Sequence, residues 1–265
     1  MGAGISVSVP KWQLWLLSCF GLTVFFAVWY VSALSGLVQA QFLPTPGAVL
    51  AQLVQMTRQP FVGYTLQQHL LSSVGRFFYG FALAVAFGVP LGLLMGWFRK
   101  LDAAITPLFD SVRFVAPIAW VPFAALWFGT GIGGPTMIIF AGAFPPALIN
   151  AYRGARFVDA RLIEAAQTLG ASNRVIILEV LLPASVPSII AGLRISAGLG
   201  WQSLVGAELI VASSGIGYLM VKGQSSLSTA IVMSGMIAIG VVGVAIDVLL
   251  RRLEAWINAR RGRNQ

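Results

Sequence analysis

Apolar residues run along this chain in long blocks separated by short polar stretches. A helix rises about 1.5 Å per residue, so about 20 apolar residues cross the roughly 30 Å of hydrocarbon in a bilayer. Six blocks reach that length, at about 12–35, 69–98, 104–128, 134–152, 186–211 and 229–250. The pattern predicts an all-α, polytopic membrane protein with about six transmembrane helices, forming a single domain over 1–265. The first block, behind Lys11, is too long for the apolar core of a signal peptide and has no clear small-residue cleavage site, so it reads as a span. The opening MGAGIS fits a myristoylation pattern, which is short enough to arise by chance.

Composition agrees with the blocks. Of the 265 residues 58% are hydrophobic and 9% charged, too few polar side chains to cover a soluble fold. The net charge of +9, from 17 basic and 8 acidic residues, would suit nucleic acid in a soluble protein. Here its placement points to topology instead. With the N terminus inside, the inner segments carry Lys11, Arg99, Lys100, Arg153, Arg156, Arg161, Arg174, Arg251, Arg252, Arg260, Arg261 and Arg263. The outer segments carry only Arg58 and Lys222. The positive-inside rule therefore predicts that both termini, and the segment 153–185, are cytoplasmic.

Within the second span, Gly80, Ala84, Gly88, Gly92 and Gly96 recur every four residues and share one helix face. Small side chains let helix backbones approach closely in lipid, so the ridge is either a packing seam or a surface that slides during a transport cycle. Pro90 is expected to kink the same helix. The fifth span carries a similar ridge, Gly192, Ser196 and Gly200, together with Arg194 and Glu208, both expensive in a bilayer. At about 100° per residue, Trp201, Val205 and Glu208 fall within about 40° of Arg194, with the small-residue ridge opposite. Arg194 and Glu208 are about 21 Å apart along the axis, so each needs a partner elsewhere. Arg194, Trp201 and Glu208 then either line a solute path, with Arg194 attracting an anion, or serve structure alone. Arg76 is a weaker path candidate, and Asp110 and Arg113, three residues apart, suit a neutralising pair.

The polar segment between the fourth and fifth spans has its own order. Val158, Leu162, Ala165 and Leu169 recur at helical spacing over 158–169, Asp159 suits the helix start, and Gly170 suits a left-handed C-cap. Ser172 can cap a second helix, NRVIILEVLL, which Pro183 is expected to stop. A helix this short is marginal in water, so it requires a partner surface.

These residues carry a resemblance. EAAQTLGASNRVIILEVLLP resembles the EAA loop of membrane permease subunits of binding-protein-dependent ABC importers. That pattern is Glu-Ala-Ala, three residues, Gly, nine residues, Ile-x-Leu-Pro, and it is met by Glu164, Ala165, Ala166, Gly170, Val180, Leu182 and Pro183. Valine for isoleucine is the single departure and keeps the position apolar. FLPTPGAVL at 42–50, APIAWVPFAALWFGTG at 116–131 and GLRISAGLGWQSLVGAELI at 192–210 resemble, less specifically, the nitrate/sulfonate/taurine branch. The resemblance implies a type I importer permease fold, with Glu164, Ala165, Ala166, Gly170, Leu182 and Pro183 coupling the spans to an ATPase. It further implies two ATPase subunits that hold ATP and Mg, a second permease subunit (a second copy of this chain), and an external solute-binding protein. The expected setting is a bacterial inner membrane, and the cargo a small anion such as a sulfonate, taurine or nitrate.

Other chemistries find little support. The chain has no G-x-x-x-x-G-K-[ST] phosphate loop, and GTGIGG at 129–134, followed by Pro135, reads as a glycine-rich turn. His69 and Cys19 are the only residues of their kinds, so no His/Cys metal cluster can form, and His69 is expected to be solvated near an outer interface. The expectation is a permease that is no enzyme and binds no cofactor or nucleic acid itself. Trp12, Trp15, Trp97 and Trp127 fit interfacial anchors. Two rivals remain: an ion-gradient-driven secondary transporter with Glu208 as its proton or cation site, and a membrane scaffold.

Overall fold

The structure is a computed structural model that describes residues 11–36, 38–39 and 41–262. MGAGIS and Arg263 lie outside the described residues. Three helices make the centre: α3 (Leu66–Trp97), α6 (Gly133–Arg156) and α9 (Leu182–Val211), with α6 packed between the other two. The small-residue ridges explain that order. A Cβ added at Gly80 would stand 2.6 Å from Ile139 Cβ, one at Gly88 3.1 Å from Ala147 Cβ, and one at Gly96 2.5 Å from Ala155 Cβ. Gly92 meets the Leu148 carbonyl and Ala151. On the other side of α6, Gly192 meets Asn150 and Gly200 faces Ala143, with buried Ser196 between them. Both ridges are packing seams in this conformation.

Around this centre stand α1 (Lys11–Leu34), α4 (Arg99–Arg113) and α11 (Thr229–Gly262). The apolar length of α1 is wholly unburied, and its indole Trp29 Nε1 donates to the Pro44 carbonyl at 3.1 Å. Among the described residues five helices are long and apolar enough to cross a membrane, and a bent pair makes a sixth crossing if taken as one broken span. Where a continuous span over 104–128 is expected, α4 ends at Arg113. A 3-10 turn (Pro117–Trp120) and α5 (Val121–Phe128) then leave at 88° to it. Proline accounts for the break. Pro117 has no N–H and its ring would strike the Arg113 carbonyl, and Ala116 before it is extended (φ −56°, ψ 137°).

Two further helices lie outside the expected set. α2 (Pro46–Arg58) starts at Thr45, whose hydroxyl accepts from Ala48 N at 3.3 Å, and α10 (Ile216–Ser225) follows α9. Leu66 of α3 and Met56 of α2 share a core with Ile216, Leu219 and Ile231 of the last two helices. α7 (Ala160–Thr168) begins at Asp159, whose carboxylate accepts from Arg161 N at 3.0 Å. The helix expected to stop at Pro183 does not stop. A single turn α8 (Asn173–Val175), a π-helical stretch (Ile176–Leu181) and α9 run on as one rod of 39 residues. The ring of Pro183 would strike the carbonyl four residues back, and that carbonyl, of Glu179, lies in the widened π turn. Pro90 likewise sits inside an unbroken α3.

The seam yields a graded test. Gly92→Ile is expected to destabilise the protein by about 1–3 kcal/mol through overpacking. Gly75, with nothing within 4 Å of an added Cβ, should accept alanine without loss. Thermal unfolding in detergent checks both.

Candidate functional site

Three constellations among the described residues hold most of the residues expected to couple or to line a path. The first occupies α7 and its turn. Leu169 is followed by Gly170 at φ +77°, a conformation that only glycine adopts freely. Gly170 N donates to the Gln167 carbonyl at 2.9 Å and Ala171 N to the Ala166 carbonyl at 3.0 Å, the paired bonds of a Schellman closure. Ser172 then accepts weakly from Val175 N at 3.5 Å and opens the rod that becomes α9. α7 rests on the π-helical stretch, and Val158 packs against the core beneath. Leu162 and Leu169 point away, 52% and 87% exposed. Glu164 and Ala165 are also exposed and Ala166 is half-buried; Leu182 is half-buried in the same core as Val158, while Pro183 is exposed. Glu164, Ala165, Ala166 and Gly170 therefore share one closed helix end beside two uncovered leucines, while Leu182 and Pro183 stand at the start of α9.

The second constellation, at the far end of the bundle, is organised by Glu208. Its carboxylate is 1% exposed and faces Arg76 Nη1 at 2.9 Å. Ser73 Oγ donates to the same carboxylate at 2.8 Å and accepts from Ile216 N at 2.9 Å; Gly217 N donates to it at 3.0 Å. Arg76 also donates to the Ser214 carbonyl at 2.7 Å and to its hydroxyl at 2.6 Å. Gly215 has φ +108°, and a Cβ there would collide with the Glu208 carboxylate. His69 closes the cluster. It is fully buried rather than solvated, because its Nδ1 accepts from Gly215 N at 3.1 Å. That bond leaves the proton on Nε2, which donates to the Phe61 carbonyl at 3.2 Å. Glu208 thus pins α3, α9 and the start of α10 together.

The third joins α9 to α11. Arg194 Nε lies 2.7 Å from Asp247 Oδ1, and Arg251 Nη2 lies 2.6 Å from the other oxygen. Trp201 Nε1 donates to the Ile239 carbonyl at 3.2 Å, and its ring meets Phe77 edge-on at 5.5 Å. Arg194, Trp201, Gln202 and Asp247 line a cleft of about 260 Å³. The two-faced reading of α9 matches this geometry, with small residues toward α6 and Arg194 and Trp201 toward α11. Arg194 and Glu208, however, belong to separate clusters.

Sequence reasoning takes Arg76 and Glu208 singly, because their pairing spans 132 residues. It passes over Asp247, although an acid inside an apolar span is itself a signal. The polar, glycine-containing SSGIG after Glu208 is the one local hint of the cluster around it. Asp110 and Arg113 do pair, at 2.6 Å, and GTGI forms a turn with Gly129 at φ +71°, after which Gly133 and Gly134 open α6.

Comparison with known proteins sets this geometry in context. Residues 88–263 match the family described as binding-protein-dependent transport system inner membrane component. The taurine transport system permease protein TauC of Escherichia coli is 35% identical over 250 residues, covering 94% of this chain and 91% of TauC. A putative ABC transporter permease of Methanocaldococcus jannaschii is 39% identical over 257 residues, covering 95% and 94%. A solved structure of the MetNI methionine ABC transporter in an inward-facing conformation superposes with a TM-score of 0.62. It shares 17% identity and covers 72% of this chain and 95% of that one.

Glu208→Gln or Arg76→Met is expected to cost about 3–5 kcal/mol, because the remaining partner is left buried without its counter-charge. The double replacement Arg76→Met/Glu208→Met should recover part of that loss. Arg194→Ala breaks a pair whose side chains are 37% and 36% exposed and should cost about 1 kcal/mol or less. Thermal unfolding of the four variants in one detergent distinguishes these outcomes.

Proposed function

Because the chain belongs to the family of binding-protein-dependent transport system inner membrane components, we propose that it couples ATP hydrolysis by a partner to inward movement of a small anion. It is the multi-pass permease subunit of an ABC importer, and its relatives are transport permeases rather than enzymes. In the proposed assembly two copies of this chain form the path by alternating access. Two ATPase subunits hold ATP and Mg on the α7 side, and a solute-binding protein delivers cargo on the other. That arrangement puts both termini and α7 in the cytoplasm of a bacterial cell, in keeping with the basic residues at that end.

The observation that carries the coupling is the α7 turn. An exposed pair of leucines stands on a helix too short to be stable alone, closed by a left-handed glycine and seated on the π-helical start of a membrane rod. An ATPase groove that receives Leu162 and Leu169 gains apolar contact and grips a unit tied directly to α9. Cargo identity rests on the relative named for taurine and on the sulfonate-type resemblance of the flanking motifs. Taurine and simple sulfonates are the first solutes to assay.

Gly170→Val forces a β-branched residue to φ +77° and should distort the turn without touching a span. The expected result is a chain that inserts and folds but loses most solute-stimulated ATPase activity and uptake. Full coupling in a complex of unchanged composition would sink the proposal.

A further inference from the structure

The broken span points to where an anion meets this chain. α4 bears Asp102, Thr106 and Asp110 at four-residue spacing, with Arg113 at its end. None of these is fully buried. They face a cavity of about 480 Å³ between α4 and α6, with Leu148, Tyr152 and a second cation, Arg153, on the α6 wall. Tyr152 Oη donates to Asp102 at 3.1 Å and Thr106 Oγ1 to the same carboxylate at 2.7 Å. Polar side chains within a span are costly against lipid and are tolerated where they line a wet cavity.

Beyond the 88° break lies a second cavity, of about 340 Å³, lined by Arg113, Ile118, Gly142, Gln202 and Ser203. Arg113 therefore belongs to both cavities, at the point where regular helix gives out. An interrupted helix survives within a membrane only where its backbone is covered by protein or lines a cavity, and transporters place solute sites at such breaks. Arg113 also differs from Arg76 and Arg194. Arg76 is enclosed by Glu208 and Ser214, and Arg194 faces an Asp247–Arg251 pair. Arg113 gives only Nε to Asp110, at 2.6 Å, and its guanidinium lies over the Phe114 ring at 4.6 Å. Among the described residues its two Nη groups have no hydrogen-bond partner in the chain. A planar fork held over a ring, with its outer donors free, suits a sulfonate or carboxylate.

We propose that Arg113 is the anion-contacting residue of the solute path, with the Gln202 amide as a second donor on the opposite wall. This rests on the reading of the chain as an anion importer and locates the cargo beside the broken span. Asp110 sets the strength of the site by partly neutralising Arg113, so that an anion is held weakly enough to leave.

The test needs no knowledge of the cargo. Single cysteines replace Thr106 and Ser203, one in each cavity, in the full-length chain with Cys19→Ser, in membrane vesicles. Their reaction rates are compared for methanethiosulfonate reagents bearing a sulfonate or a trimethylammonium group. Both positions should react, and Arg113→Gln should lower the sulfonate-to-ammonium rate ratio at least about threefold through loss of the local positive potential. Arg113→Lys should preserve the ratio, and Asp110→Asn should raise it. Absence of reaction at both positions, or a ratio indifferent to Arg113→Gln and Asp110→Asn, would overturn the proposal. Because labelling requires no ATPase, failure of ATP coupling leaves this result standing, and the reverse also holds.

Discussion

The bundle depends on how closely α3 and α9 approach α6. Lipid tails are as apolar as leucine, so helices gain little from hiding apolar surface and associate through contact at short range instead. Glycines at 80, 88, 92 and 96 remove the side chains that would hold α3 away, and Gly192 and Gly200 do the same for α9. The other features follow from that sandwich. With its ridge committed to α6, α9 turns Arg194 and Trp201 toward α11, and α3 turns Ser73 and Arg76 toward Glu208. α4 gains no comparable seam and no buried residue, which leaves its polar face open to a cavity.

In the proposed cycle the path of force through the chain is short. The Gly170 closure ends α7, and from Asn173 the single turn, the π-helical stretch on which α7 rests, and α9 run on as one rod. At the other end of α9, Glu208 is bound to α3 and to the start of α10. A displacement of α7 therefore reaches the far side of the bundle through one rod and a buried ionic anchor.

Much of this is legible in the sequence, for local reasons. Six crossings follow from apolar length, and the α7 turn follows from a glycine three positions after Gln167, at the end of a short amphipathic repeat. Packing ridges show because four-residue spacing is a property of one helix. What escapes is what needs a second element. His69 looks solvated until the loop at Gly215 folds over it, and Glu208 looks available until Arg76 arrives from 132 residues away. Prolines mislead in both directions. Pro117 breaks a span because regular α-helix would put its ring against a carbonyl, whereas Pro183 passes because the preceding turn is widened.

The central claim is that this chain supplies the path and the handle while the energy comes from a partner that grips α7. The most direct measurement is solute accumulation in proteoliposomes, using labelled taurine and a binding protein, with and without the ATPase. The account predicts accumulation only with the ATPase and hydrolysable ATP, unchanged by an uncoupler. Uptake by the chain alone, abolished by an uncoupler and indifferent to ATP, would contradict it.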